Sequence, residues 1–119
     1  MAKFKPSNTV VELEMQDGTT VRLTLAYKYL YQLSAVDRRA YDEYNAVWNK
    51  KPNKREEMDT VRILYAAYLC AAIQDGTKNN AMGWEEFLEL VPINRQVTSK
   101  ALEELLAPKR KGDIGTPSK

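Results

Sequence analysis

The chain has 119 residues, enough for one domain that can hold a core without disulfides or structural metals. With 44% hydrophobic and 29% charged residues it has an ordinary globular balance. The formal net charge of +2 is unevenly placed: Lys109, Arg110, Lys111 and Lys119 against Asp113 give residues 109–119 a net of +3, while the other 14 basic and 15 acidic side chains sum to −1. A near-neutral body argues against a dedicated nucleic-acid binder, which carries its basic stripe on the folded surface.

Cys70 is the single cysteine, so no internal disulfide can form. It lies in an apolar run, where a free thiol behaves as a small buried hydrophobe. The first residues, MAKFKPSN, lack the apolar stretch of a signal peptide. The longest uncharged apolar run, Ile63 to Ile73, is far short of the roughly 20 residues a membrane span needs. A reducing, cytoplasmic setting follows as the expectation.

After a loose lead-in, residues 9–15 and 20–25 alternate apolar and polar, the period of strands. Gln16-Asp17-Gly18 separates them, which makes the pair a β-hairpin. A two-residue Asp17-Gly18 loop would set Leu13 opposite Arg22 and mix the two faces. A three-residue loop pairs Leu13 with Val21, Val11 with Leu23 and Glu12 with Arg22, and gives Gly18 the left-handed position. A lone hairpin is marginal in water, so helices must cover its apolar face.

From Ala26 the period changes to that of helices. Tyr27, Leu30 and Tyr31 mark a short first helix ending near Ser34. Ser34 with Asp37 resembles a capping signal for a second, carrying Ala40, Tyr41, Tyr44, Val47 and Trp48 to about Asn49. Lys50-Lys51-Pro52-Asn53-Lys54 breaks it. The third helix, about Arg55 to Gln74, starts with Glu56, Glu57 and Asp59, which suit the positive end of the helix dipole. Beyond Arg62 it is uncharged on every side, the mark of a central helix, until Asp75-Gly76 stops it. Gly83 opens a short fourth helix, Trp84 to Val91, with Trp84, Phe87, Leu88 and Val91 on one face. Pro92 ends it. Asn94 caps a fifth, with Val97, Ala101, Leu102, Leu105 and Leu106 inward, reaching Ala107 before Pro108. Residues 109–119 have no apolar period and read as a disordered basic tail. The fold class is thus α+β and mostly helical: one domain over residues 1–108, an N-terminal hairpin on about five helices.

The sequence has no histidine, which removes the commonest general base and metal ligand. It has no Gly-rich phosphate loop and no paired cysteines at metal spacing. The expectation is a non-enzymatic protein with no cofactor and no metal. Glu56-Glu57-Asp59 and Glu85-Glu86-Glu89 are explained by a first helical turn and a solvated face. The aromatics say more. Tyr27, Tyr29, Tyr31, Tyr41, Tyr44 and Trp48 crowd the first two helices, too many for one buried stripe. Tyrosine and tryptophan favour places where an apolar body meets water or a partner. Trp84 and Phe87 have the spacing of helix-in-groove anchors, a groove that this chain's own core could equally supply. Lys109, Arg110 and Lys111 could dock on an acidic surface or on nucleic acid. The candidate protein-binding residues are therefore Tyr41, Tyr44, Trp48, Trp84, Phe87, Lys109, Arg110 and Lys111.

The order of parts is familiar: strand-turn-strand, Tyr-rich helices, Val61-Arg62-Ile63-Leu64-Tyr65-Ala66-Ala67-Tyr68-Leu69, Met82-Gly83-Trp84-Glu85-Glu86-Phe87-Leu88-Glu89-Leu90-Val91-Pro92, then a helix ending in Pro108-Lys109-Arg110-Lys111. From Val10 to Lys111 it resembles the tail assembly chaperones of long-tailed bacteriophages, especially those of Gram-positive hosts. Gly83 stands where that pattern has a Ser or Thr cap, a change that helix N-termini tolerate. The resemblance implies a protein made in the host cytoplasm and absent from the finished virion. It implies binding to the long helical tape measure protein and to tail tube subunits; the aromatic surplus on the Tyr41, Tyr44, Trp48 helix separately leaves a homo-oligomer open. It further implies a second, longer product made by a −1 ribosomal frameshift, for which the codons of Ala107-Pro108-Lys109 could supply a slippery run. Two readings from other classes stand beside it: a small nucleic-acid-binding regulator using the basic tail, and a structural tail or connector protein.

Overall fold

The alternating segments form the hairpin their pattern requires. In the computed structural model, which describes the backbone of residues 10–114 and the side chains of residues 10–107, β1 (Val11–Glu14) and β2 (Thr20–Leu23) pair antiparallel. Val11 lies opposite Leu23, Glu12 opposite Arg22, Leu13 opposite Val21 and Glu14 opposite Thr20, the register of the three-residue loop. Gly18 takes φ +88°, which a Cβ would strain. The Asp17 carboxylate accepts from the Thr19 hydroxyl at 2.7 Å and its N–H at 3.0 Å, and these bonds hold its pKa below the usual range. Val11, Leu13, Met15 and Leu23 are buried, while Glu12, Glu14 and Arg22 face water.

Five α-helices follow: α1 (Tyr27–Val36), α2 (Arg38–Asn49), α3 (Glu57–Asp75), α4 (Trp84–Leu90) and α5 (Arg95–Ile114), with 3₁₀ turns at Pro52–Lys54 and Lys78–Asn80. The fold class is α+β and mostly helical, as the sequence implies. α3 packs against β2, α1, α2, α4 and α5, and α5 also lies along β1. Its middle, Ile63 to Ala67 and Leu69 to Ala72, is wholly buried. Alanines at 66 and 67 let the chain leaving β2 come close enough for the Thr24 N–H to bond the Ala67 carbonyl at 3.1 Å.

Helix ends follow local chemistry. The start of α2 corrects the expectation at Ser34. α1 continues to Val36, Ser34 bonds back to the Tyr31 carbonyl, and Asp37 caps α2 by accepting the Ala40 N–H at 3.3 Å. At the start of α3, Asp59 accepts the Glu56 N–H at 2.9 Å and the Lys50 ammonium at 2.9 Å. The backbone bond, then Lys50, holds the Asp59 carboxyl below its usual pKa. At its end Gly76 is left-handed (φ +76°), and the Thr77 N–H returns to the Ala72 carbonyl at 2.8 Å, a Schellman closure.

α5 departs from the sequence reading twice. Val97 is exposed and Thr98 is buried in its place, because the inward stripe runs Thr98, Ala101, Leu105. The Thr98 hydroxyl is satisfied by the Arg95 carbonyl at 3.1 Å. The helix also passes through Pro108 to Ile114 where a stop at Ala107 was expected. Proline removes one backbone bond from a helix interior, yet Lys109, Arg110 and Lys111 are good helix-forming residue types. The rest of the expected tail, like the lead-in before residue 10, lies outside the described residues.

Leu23 is fully buried on the hairpin's inner face. Leu23→Asp places an unpaired charge there and should cost on the order of 4 kcal/mol or more, abolishing the cooperative melt. A wild-type melting temperature would take the hairpin out of the core. Asp59 gives a pH signature. Its depressed folded pKa contributes stability that is present above the unfolded value of about 4 and lost as the pH falls through the folded value. Urea midpoints between pH 6 and pH 3 should therefore fall more steeply for the wild type than for Asp59→Asn. Parallel curves would deny Asp59 that role.

Candidate functional site

The sequence singles out two aromatic sets, and the structure treats them differently. On α2, Tyr41 and Tyr44 stand 6.3 Å apart between ring centres, and Tyr44 meets Trp48 edge-on at 6.2 Å. Tyr44 is buried in the core, and burial pushes its pKa up to about 12. With Tyr44 in the core, the part of this aromatic set that reaches the surface is half-buried Tyr41 and Trp48. Each carries a guanidinium: Arg38 over Tyr41 at 5.5 Å and Arg55 over Trp48 at 4.8 Å. Arg55 also donates to the carbonyls of Val47, Trp48 and Lys50, which closes the C-terminal end of α2.

On α4, Phe87 is fully buried against Tyr65 at 5.2 Å and Tyr68 at 5.5 Å, so it too belongs to the core. Trp84 is half-buried and lines a cleft of about 470 Å³ between α2 and the start of α4, floored by α3. Lys109, Arg110 and Lys111 lie on the backbone of α5, and their side chains are outside the described residues.

What joins α2 to α4 is a chain of three residues, two of which the sequence did not mark. Glu43 of α2 pairs with Arg62 of α3, and the Arg62 guanidinium stacks 3.9 Å above the Trp84 ring. Trp84 meets Tyr65 edge-on at 5.3 Å. Tyr65 and Tyr68, one turn apart on α3, hold the peptide groups of Met82: the Tyr65 hydroxyl donates to its carbonyl at 3.0 Å and the Tyr68 hydroxyl accepts its N–H at 2.9 Å. Burial raises the Tyr65 pKa to about 12, so this donor keeps its proton at neutral pH. Two tyrosines inside an otherwise apolar helix were the available signal, since a buried hydroxyl needs a partner.

Gln16 was likewise missed. Its N–H bonds the Leu90 carbonyl at 2.7 Å, and its side-chain amide donates to the carbonyls of Glu89 (3.1 Å) and Val91 (2.8 Å). The hairpin loop thereby caps the C-terminal end of α4.

No family model matches the chain, and no curated protein and no solved structure is significantly similar to it.

The cleft is acidic. Asp37, Glu43, Glu85 and Glu86 line it against Arg39 and Arg62, four negative charges to two positive, a net of −2. Asp37 reaches Lys78 at 3.6 Å and Glu43 is shared by Arg62 and Arg39, while Glu85 and Glu86 stand exposed at its rim. Among the described residues no cluster of His, Cys, Asp and Glu could hold a metal ion, and no helix is long and apolar enough to cross a membrane. The arrangement offers a π face, fixed guanidinium charge and a carboxylate rim, which suits recognition of an amphipathic or basic side chain.

Arg62 should be the keystone of the cleft. Arg62→Ala removes the stack and the Glu43 pair, with an expected loss of about 1–2 kcal/mol. In a Trp48→Phe background, acrylamide should then quench Trp84 fluorescence more strongly. Unchanged quenching and stability would mean that Arg62 does not hold the indole.

Proposed function

We propose that this chain is a non-catalytic assembly factor of the kind that phage tail assembly chaperones represent, binding another protein through the cleft between α2 and α4. One observation carries the reading. The Trp84–Pro92 segment, the sharpest part of the resemblance, is also the segment that walls the cleft and presents Trp84 to it. Trp84 combines the features of an interface anchor: a large ring, half-buried and held in place by Arg62 and Tyr65, beside an open concavity. The partners on this reading are the tape measure protein and the tail tube subunit, met in the host cytoplasm. A −1 frameshift at Lys109 would alter α5 from residue 109 onward, so a longer product would begin its extension inside a helix and not after one.

Co-expression with a long helical protein encoded beside this gene tests the reading. Trp84→Ala should weaken capture about 30-fold, the equivalent of a 2 kcal/mol anchor. Glu85→Lys with Glu86→Lys, which leaves the core untouched, should weaken it as well. Retained capture by both folded variants, or no such protein to capture, would defeat the reading.

A further inference from the structure

The two edges of the hairpin are used differently. The Met15 N–H bonds the Thr19 carbonyl at 2.7 Å, so Met15 turns its backbone groups toward β2. Successive residues of an antiparallel strand alternate in this respect. Leu13 and Val11 therefore also face β2, opposite Val21 and Leu23, while Glu12 and Glu14 turn their N–H and C=O groups away from it. Gln16 points to that same outer side, and its N–H is taken by the Leu90 carbonyl of α4. Glu12 and Glu14 have no such partner among the described residues, although backbone groups of this kind call for one. The far edge of β2 runs instead against α3, where the Thr24 N–H bonds the Ala67 carbonyl.

A groove of about 250 Å³ follows the open edge. All four residues of β1 line one side of it and Val97, Lys100, Ala101 and Glu104 of α5 line the other, with none from β2. It is small for a helix, which is about 10 Å across, whereas a further strand needs only the ~4.8 Å spacing of a sheet. Val97, 41% exposed, gives the groove an uncovered apolar wall. Glu12, Glu14 and Glu104 against Lys100 give it a net charge of −2, and none of these four forms an ion pair with a described residue.

We propose that an extended, basic segment of another protein adds to this edge as a third strand, antiparallel to β1. Antiparallel pairing is the more stable per residue, and it fixes the pattern of the segment. Two residues would exchange backbone bonds with Glu12 and Glu14, and directly opposed residues share a face. Those two therefore carry Lys or Arg on the outer face, beside the exposed carboxylates of Glu12 and Glu14. The residue between them points inward over Val97 and Ala101 and is apolar. The motif is thus basic, apolar, basic, the mode of recognition in which main-chain bonds give affinity and alternate side chains give specificity. Charge also argues against the same edge of a second copy, which would set Glu12 and Glu14 against their own kind. The groove shares no lining residue with the Trp84 cleft, so the proposal stands whether or not the cleft binds a tail protein.

An NMR titration of the isotope-labelled full chain with the peptide acetyl-Thr-Lys-Val-Lys-Thr-amide tests it. The Glu12 and Glu14 amides should shift and their hydrogen exchange should slow, with a Kd on the order of 1 mM. N-methylating both lysines of the peptide should abolish binding, because their N–H groups face β1. N-methylating the valine alone should leave it intact, because that N–H faces away. Glu12→Lys with Glu14→Lys, both at exposed positions, should melt as the wild type does and bind about tenfold more weakly. No response at Glu12 and Glu14, equal binding by the two methylated peptides, or undiminished binding by the Glu12→Lys, Glu14→Lys variant would each overturn the proposal. Binding that appears only after Lys3→Glu with Lys5→Glu would overturn it too, by giving the edge to the chain's own Lys3-Phe4-Lys5.

Discussion

A helix that is apolar on every side cannot lie on a surface, and α3 is such a helix. From Val61 to Ala72 it leaves only Arg62 and Tyr68 half open, so the other elements have to enclose it. The hairpin covers one side through Leu23, α1 and α2 another, α5 a third, and α4 closes the remainder with Phe87. Removing any one of them returns apolar side chains to water at about 25 cal/mol per Å². This explains why a two-stranded sheet, marginal alone, persists here. It is held by a face of α3 whose small residues admit the backbone of Thr24 to hydrogen-bond distance.

The few polar groups that α3 carries are what shape the cleft. Tyr65 and Tyr68 cannot be buried with idle hydroxyls, and the Met82 peptide groups satisfy both. That fixes the entry of α4, which is too short to be stable by itself. Gln16 fixes its exit through three carbonyls. With both ends held, Trp84 must project beside Arg62, and Arg62 must find a carboxylate, which Glu43 provides. The cleft is thus a consequence of enclosing a polar pair of tyrosines in an apolar helix.

Much of this was legible beforehand, and the limits have physical causes. The hairpin register was readable because a one-residue slip would expose Leu13 and bury Arg22. The central role of α3 was readable from its lack of charge. Ser34 and Asp37 both suit an N-cap, and only the dihedral break at Asp37 decides between them. Val97 and Thr98 sit side by side, and a stripe inferred from hydrophobicity chose the valine, although the local bond to the Arg95 carbonyl makes the threonine equally fit for burial. Tyr44 and Trp48 share one helix and one residue class. Their different depth depends on how α1 and α3 meet α2, which no spacing rule contains. Contacts such as Gln16 with Leu90, or Glu43 with Arg62, span long stretches of chain between residues whose types are common everywhere.

The Arg62–Trp84 stack also restricts how the cleft can be used. One face of the indole is already covered at 3.9 Å, so an incoming side chain must take the open edge or displace the guanidinium. Displacement would break the Glu43–Arg62 pair and leave Glu43 with exposed Arg39 alone, beside Asp37, Glu85 and Glu86 in one concavity. Like charges so gathered repel, and the cost favours a ligand that brings its own positive charge to replace what Arg62 withdraws. An apolar ligand gains only the uncovered edge of Trp84, whereas a basic one can either slide beside Arg62 toward Glu85 and Glu86 or take its place. On the proposed reading, the electrostatics of the cleft therefore favour a basic segment along either route, with groups held in position before any partner arrives.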